Sequence, residues 1–450
     1  MRKTVFGCLG AAAVAFALQL TVADVQAGFF NRCDPCEPAA FAPCDAAACD
    51  PCGPNIFNGC LPNGNGNGRG FFITGHLEGG LFANGHGNRS TYTGPGSTWA
   101  NPARGHDYMS GNTDLLQNTR LTHPQMNQVY LSMGRAVNSG RGLDIGGTMD
   151  FAFGSDVYNV QSRGMEYGTG RAGGGRDAGR WGSGDYFSAI PQMYTEIAFD
   201  RWNVKAGKFY LPFGSSSFKS TDNFFYSWAP NKLITPTTGG GMLTTFKVNN
   251  RLSVISGWTN GLDQFGETSK DNAFLGGFDF SPTSRVNVRY VFAAGKDTYA
   301  LGRSQGWERQ EYFIHSLVTT TQLTNRLKYV FDWTYNQSKE WAGVRTNQYN
   351  YGLNNELIFQ ANNRWAFGTR FGMLRAAPLL EEMMGYPISA KAEWYTVSLG
   401  ANWTPNRWLT VKPELRYDWT NKGDATQRSP FNYGVNTYQV SGGMSAVVSF

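Results

Sequence analysis

Long apolar runs are missing from almost the whole of this 450-residue chain. Beyond the first 22 residues, no segment approaches the roughly 20 apolar residues that a membrane-spanning helix requires. Helical periodicity is missing as well, which argues against a soluble enzyme of the α/β class. If the protein enters a membrane, it must therefore do so with strands, whose backbone groups are paired between neighbours.

Charge and histidine are also scarce. Charged residues make up 16% of the chain, the formal net charge is +6, and five histidines are present. A nucleic-acid-binding domain concentrates Lys and Arg on one face, so we predict no nucleic-acid partner. An enzyme carried on a strand scaffold needs a nucleophile and a base within reach of each other, but the neighbours His315 and Ser316 point to opposite faces of a strand. We therefore predict neither an enzyme nor a cofactor.

The first residues have the pattern of a secretory signal peptide. Arg2 and Lys3 precede an apolar stretch that runs to Val22, and Val25-Gln26-Ala27 is a small-x-small cleavage pattern. A membrane anchor is the alternative, but the apolar core is short and contains Gln19. We predict cleavage after Ala27, so that residues 1–27 direct the protein out of the cytoplasm.

Cysteine is almost confined to residues 28–60, which hold six of the seven. CDPCEPAAFAPC at 33–44 and CDPCGPNIFNGC at 49–60 are a tandem duplication. Disulfides are the default for cysteines outside the cytoplasm, although a metal cluster and reactive or interchain thiols stay open as alternatives. The disulfide candidates are Cys33, Cys36, Cys44, Cys49, Cys52 and Cys60. With a Gly/Asn-rich linker, this segment forms a separate arm, residues 28–69, predicted to lie in the periplasm.

The rest of the chain, residues 70–450, alternates between apolar and polar residues, the pattern of strands with two unlike faces. Leu327, Tyr329, Phe331, Trp333 and Tyr335 give one of the clearest faces. Sixteen strands are predicted, at 71–83, 127–136, 142–154, 192–199, 202–209, 241–248, 251–259, 272–280, 285–293, 311–323, 326–336, 347–361, 364–374, 392–403, 408–419 and 436–450.

Short turns alternate with long connections between these strands. Six of the short turns contain a polar residue followed by Arg: Asp200-Arg201, Asn250-Arg251, Ser284-Arg285, Asn325-Arg326, Asn363-Arg364 and Asn406-Arg407. Short turns on one side and long loops on the other are typical of an outer-membrane barrel with periplasmic turns. We therefore predict an all-β fold, a transmembrane antiparallel β-barrel. A soluble β-sandwich with the same alternation is the alternative fold. One residue disagrees with the predicted strands: Pro413 lies inside strand 408–419 and cannot donate a hydrogen bond to the ladder, so it requires a bulge there or a misplaced strand.

The chain ends on the strand YQVSGGMSAVVSF, whose apolar alternation continues to Phe450. Pairing of this strand with the first one would close the barrel and remove its open edges. Tryptophans at both ends of the strands, such as Trp202 and Trp258, agree with two aromatic belts at the membrane interfaces. A strand that ends in Phe also resembles the signal that outer-membrane barrels present to the barrel assembly machinery.

One stretch resembles a known family. VKAGKFYLPFG and NFFYSW in residues 204–248, and WTNGLDQF at 258–265, look like the OmpL-like β-barrel porins. This family often has Glu after PFG, where Ser215 and Ser216 stand here. The resemblance covers about residues 70–450 and implies an outer-membrane pore for small solutes. It does not identify the solute, and it does not account for the cysteine-rich arm.

Sixteen strands can enclose an aqueous channel, so the predicted function is passive diffusion of small hydrophilic solutes or ions. Charged residues on the inward strand faces carry both signs; candidates for the lumen wall are Lys205, Lys247, Arg289, Arg370, Glu196 and Glu356. By analogy with general porins, the third long loop would narrow the pore, and its charged residues Lys219, Asp222 and Lys232 are the constriction candidates. Their small positive excess predicts a weak anion preference.

The alternative function is structural, with the barrel anchoring or crosslinking envelope proteins through its cysteine-rich arm. Outer-membrane lipid, the assembly machinery and small solutes or ions are the predicted partners. A homo-oligomer is left open.

Overall fold

A computed structural model describes residues 70–84, 124–138, 142–167, 181–183, 186–266, 271–300, 307–338, 348–376, 392–421 and 436–450. The predicted signal peptide and all six cysteines of the arm lie outside these residues. Among the described residues, no helix has the length and apolar character needed to cross a membrane.

The described chain is almost entirely β-structure, in a single sheet of eighteen strands. In chain order the strands are β1 Phe71–Asn84, β2 Gln125–Arg135, β3 Asp144–Gly154, β4 Gly182–Ser183, β5 Tyr186–Ala189, β6 Met193–Phe199, β7 Trp202–Tyr210, β8 Thr238–Lys247, β9 Leu252–Thr259, β10 Asn272–Thr283, β11 Val286–Ala300, β12 Trp307–Thr324, β13 Leu327–Ser338, β14 Gln348–Gln360, β15 Trp365–Ala376, β16 Ala392–Asn406, β17 Leu409–Asn421 and β18 Tyr438–Ser449.

Sixteen of these strands close into an antiparallel barrel, as predicted. β1 pairs with β2 on one side and with β18 on the other, where Leu77 faces Val448 and Leu81 faces Met444. The two short strands β4 and β5 belong to the connection between β3 and β6. β5 pairs with the end of β3, so this hairpin extends the wall above the barrel strands. The hairpin was not predicted.

The two faces of the wall differ in chemistry, as the alternation predicts. Large apolar side chains are exposed on the outward face, for example Ile145 at 53%, Trp258 at 53% and Leu399 at 53%. Inward residues between them are mostly polar and buried, including Asp332, Thr334 and Arg416. An apolar exterior around a polar interior is the arrangement that a barrel in lipid requires.

Side chains of Asn and Thr stabilise the short turns. Asn249 Oδ1 accepts hydrogen bonds from the backbone N–H groups of Arg251 and Leu252 at 2.8 and 3.0 Å. Asn362 does the same for Arg364 and Trp365, at 2.9 and 3.0 Å. These bonds fix the hairpin without using the Arg side chain.

Pro413 is the one strand residue whose effect was wrongly predicted. It lies within β17 on the outward face, opposite Met444 of β18, and the register of that ladder does not shift there. Towards β16 the pairs Gly400–Glu414 and Trp403–Val411 keep one register on either side of it. The register shift between these strands comes nearer the turn, between Trp403 and Asn406. Pro413 is not paired with a residue of β16, so its missing N–H group leaves no hydrogen bond of that ladder unmade. The strand therefore needs no bulge at this position.

Candidate functional site

Residues 211–237, which connect β7 to β8, lie against the inward side of the barrel wall. Gly214 N donates to Ser316 Oγ of β12 at 3.0 Å, and the Ser215 N and Oγ donate to Asp332 of β13 at 2.7 and 2.8 Å. On the other side of the barrel, Tyr226 Oη donates to Asn127 of β2 at 3.0 Å. This segment, which we call the inner loop, therefore spans the lumen between opposite parts of the wall.

A cluster of buried charges holds the centre of the inner loop. Ser227 donates through N and Oγ to Glu414 of β17, at 2.7 and 2.6 Å. Arg416 Nη1 donates to Ser227 Oγ at 2.9 Å and to the Trp228 carbonyl at 3.0 Å, while its Nε is paired with Asp418 at 2.8 Å. Arg370 of β15 adds a bond to Ser227 Oγ at 3.2 Å. We call Ser227, Arg370, Glu414, Arg416 and Asp418 the Ser227 clamp.

The wall under the inner loop is lined by glycines where the loop comes closest. A Cβ at Gly372 would lie 2.7 Å from the Pro230 ring, and one at Gly400 would lie 2.9 Å from the Phe225 ring. Similar close approaches occur at Gly352, beside Asn231, and at Gly368, beside Phe224. Larger residues at these inward positions would push the loop into the lumen, so glycine allows it to lie flat on the wall.

The start and the middle of the inner loop are held by apolar packing. Leu211 and Phe213 join a buried cluster with inward residues of β9 to β12, among them Ile255, Leu275 and Val291. Phe218 and Trp228 join a second cluster on the opposite side, with side chains of β2, β3, β5 and the turn at 156–160. The loop is therefore part of the folded core of the barrel.

The connection after β3 also enters the lumen and binds the neighbouring loops. Glu166 forms a buried ion pair with Lys208 Nζ at 2.5 Å. Arg163 pairs with Asp271 at 2.8 Å. Asp263 accepts bonds from the backbone N–H groups at both Thr237 and Thr238, at 2.9 and 2.8 Å, although burial raises the pKa of its carboxyl.

The three predicted constriction residues occupy different environments. Asp222 is exposed and Lys219 is half-buried, with its Nζ 4.9 Å from the centre of the Tyr130 ring. Lys232 is only 7% exposed and donates to Thr237 Oγ1 at 3.1 Å. Burial lowers the pKa of Lys232 to about 8, against the opposing effect of Asp263 and Asp332. Lys219 and Asp222 therefore share the accessible tip of the inner loop, and Lys232 lies behind it.

The six wall candidates all lie on the inward side, in two groups. Glu196, Lys205, Lys247 and Arg289 lie outside the contact area of the inner loop; Arg289 pairs with Asp279 at 2.7 Å, and Lys205 donates to Tyr194 Oη at 3.2 Å. Arg370 and Glu356 are paired at 3.2 Å beneath the loop, and Arg370 is 3% exposed. Arg370 anchors the loop through Ser227, and Glu356 acts on the loop only through its pairing with Arg370.

Sequence reasoning missed Ser227, which makes four hydrogen bonds to three wall residues. A signal for its partners was present in β17, where Lys412, Glu414, Arg416 and Asp418 occupy alternate positions on one face. Charged side chains can be buried on one strand face when other polar groups pair with them. The pattern in β17 therefore indicates that another segment packs against this face.

Comparison with known proteins agrees with this architecture. OmpT of Vibrio cholerae is 9% identical with a TM-score of 0.50, over 84% of this chain and 97% of that one. The anion-selective porin from Comamonas acidovorans is 8% identical with a TM-score of 0.51, over 85% and 99%. Pseudomonas putida OprB is 13% identical with a TM-score of 0.50, over 85% and 94%. At these identities the likeness concerns the fold. No curated protein matches the chain.

The model of the family described as "Putative beta-barrel porin-2, OmpL-like" matches residues 73–450, which include every barrel strand except the first two residues of β1. The resemblance predicted from residues 204–265 is thereby confirmed, and the chain belongs to the OmpL-like family of β-barrel porins.

Proposed function

We propose that the protein forms a water-filled channel through which small hydrophilic solutes or ions diffuse across the outer membrane, with the inner loop as its constriction. The observation that carries this proposal is the anchoring of residues 211–237 across the lumen, from Ser316 and Asp332 on one side to Asn127 on the other. A closed barrel narrowed by a fixed loop can select solutes by size. Stable conductance steps from the purified protein in a planar bilayer would test the channel, and a silent bilayer would count against it.

Weak selectivity follows from the charges on the inner loop. Lys232 is buried, so the predicted anion preference depends on Lys219, and Asp222 opposes it on the same exposed tip. One accessible charge of each sign gives only a small net field at the constriction. The anion selectivity named for the Comamonas porin belongs to that protein and does not carry over at 8% identity.

Lys219→Glu should move the reversal potential in a salt gradient towards cation preference, because it changes the charge at the accessible tip by two units. Asp222→Asn should move it towards anion preference. Lys232→Gln is the control. It removes a basic residue of the same loop, but because the Lys232 side chain is buried, the reversal potential should stay unchanged. The shifts should fade in high salt. Equal effects of the Lys219 and Lys232 variants would contradict this assignment of the tip.

The duplicated cysteine motif supports a second proposed role, in which the arm at residues 28–69 lies in the periplasm and crosslinks envelope proteins. Removing residues 28–60 should leave barrel assembly and conductance unchanged, because a Gly/Asn-rich linker separates them from β1. Freshly isolated, unreduced protein should contain disulfides at these cysteines. Six free thiols with bound zinc would instead support the metal alternative, and loss of higher-mass species on reduction would support crosslinking.

A further inference from the structure

The short turns of the barrel carry an unbalanced charge. Together the seven turns contain seven arginines and one acidic residue, Asp200. The long connections, by contrast, contain 16 basic and 14 acidic residues. The excess positive charge is therefore concentrated at one end of the barrel. Six consecutive short turns contribute to it, with Arg201, Arg251, Arg285, Arg326, Arg364 and Arg407, which we call the arginine rim.

The conformation of the short turns does not require an arginine at these positions. The Asn and Thr side chains of the turns hold the backbone N–H groups of Arg251, Arg285, Arg326 and Arg364, at 2.8, 3.3, 3.2 and 2.9 Å. The carbonyls of these four arginines accept backbone bonds from the adjacent hairpins at 2.7–2.8 Å. Both backbone groups are thus satisfied, and another exposed residue with the same backbone conformation could replace each Arg.

Four of the six guanidinium groups, those of Arg251, Arg285, Arg326 and Arg364, are available, while Arg201 donates to the Val248 carbonyl at 3.3 Å. All six rim arginines are exposed. Among the described residues, no carboxylate lies within ion-pair distance of Arg251, Arg285, Arg326 or Arg364. Guanidinium groups bind phosphate with two parallel hydrogen bonds, so the rim has the chemistry of a phosphate-binding surface.

The position of the rim indicates which phosphates it would meet. Trp202 and Trp365 directly follow Arg201 and Arg364, point outward and are 40% and 38% exposed. Such tryptophans mark the membrane interface, so the arginines lie at the level of the lipid headgroups. The turns follow one another around the perimeter at every second strand, about 10 Å apart. A protein partner would contact one side of the barrel, whereas a lipid leaflet surrounds it.

We propose that the arginine rim binds the phosphate groups of anionic phospholipids in the leaflet around the short turns, which is the inner leaflet when those turns face the periplasm. The rim would hold the barrel at a fixed depth and enrich anionic lipid around it. This binding is independent of the channel proposed above, because the rim arginines belong to the turns outside the strands.

The test uses the full mature chain in phosphatidylcholine vesicles with spin-labelled phosphatidylglycerol or phosphatidylcholine as probe. Both leaflets have the same composition, so the orientation of the barrel does not affect the result. The wild type should prefer phosphatidylglycerol to phosphatidylcholine roughly fivefold, as expected for one basic residue beside one anionic headgroup. The variant with Arg251, Arg285, Arg326 and Arg364 all changed to Gln should lose most of that preference. The corresponding Lys variant keeps the charge but not the paired hydrogen bonds, and should keep part of the preference.

Two further measurements distinguish a loss of lipid binding from a loss of folding or of channel function. Heat-modifiability and bilayer conductance of the Gln variant should match the wild type, which separates lipid binding from folding and from the channel. If four changes prevent assembly, the pairs Arg251→Gln with Arg285→Gln and Arg326→Gln with Arg364→Gln should each remove part of the preference. Equal binding of both lipids to the wild type, or an unchanged preference in the Gln variant, would overturn the proposal. Loss of peptidoglycan binding with unchanged lipid preference would assign the rim to the cell wall and also overturn it.

Discussion

Arg416→Met should raise the single-channel conductance several-fold and let larger sugars enter, because it releases the inner loop from the wall. Arg416 is fully buried and links Ser227 and Trp228 of the loop to Asp418 of β17. Its loss leaves Asp418 buried without a cation, which costs about 3–5 kcal/mol. Movement of the loop, with entry of water, relieves this cost while the β-ladders of the barrel stay intact.

Two variants distinguish release of the loop from general damage. Arg289→Met breaks another ion pair on the inward wall, with Asp279, and among the described residues no hydrogen bond or ion pair joins the Arg289 side chain to the inner loop. It should leave the size limit for sugars unchanged. Arg416→Met combined with Asp418→Leu removes both buried charges, so the pore should be closer to wild type than in the single variant. If the single variant keeps the wild-type size limit in liposome swelling, the Ser227 clamp does not define the constriction.

The barrel could be predicted from the sequence because its signals are local. The alternation in β13 and β18 gives the two faces directly, and short turns such as Asn325-Arg326 mark the hairpins without knowledge of distant residues. The hairpin of β4 and β5 was missed because strands of two and four residues are too short to show a period of two. Pro413 was misjudged because the sequence does not reveal which neighbouring strand its missing N–H group would face.

The lumen could not be predicted to the same extent, because its contacts join distant parts of the chain. Ser227 and Glu414 are 187 residues apart, and neither carries a local signal of the other. Lys232 was predicted to line the constriction because it belongs to the third long loop, but its side chain is only 7% exposed. Arg370 and Glu356 lie on the inward face, and the loop that covers them comes from elsewhere in the sequence.

The inner loop and the barrel wall depend on each other for the pairing of their polar groups. Without the loop, Glu414, Arg416 and Asp332 would face an open lumen, where water could satisfy them. With the loop in place, they are at most 5% exposed, and their partners in the loop are backbone and hydroxyl groups of Ser215, Ser227 and Trp228. These three wall charges therefore act as anchors of the loop, and a net charge of the wall that counts them is a poor guide to the ion selectivity of the channel.

Deletion of Phe450 should abolish most assembly of the barrel, because this residue completes the seam between the last strand and the first. Phe450 N donates to the Gly75 carbonyl and Gly75 N donates to the Phe450 carbonyl, both at 2.9 Å. The Phe450 ring lies over Gly75, where a Cβ would come within 2.7 Å of it. Deletion removes both hydrogen bonds and the ring at the end of the seam that joins the first strand of the barrel to the last.

Phe450→Asp should be as damaging as the deletion, because a carboxylate would replace an apolar ring at the membrane interface. Phe450→Tyr is the matched control; it keeps the ring and both backbone bonds, and should assemble like the wild type. The measurement is the fraction of heat-modifiable protein in isolated outer membranes. Refolding into detergent in the absence of cellular machinery separates two causes. A deletion variant that refolds normally there but fails in cells would assign Phe450 to recognition by the assembly machinery, whereas failure in both would assign it to closure of the seam. Normal heat-modifiable protein from the deletion variant in both settings would contradict either role.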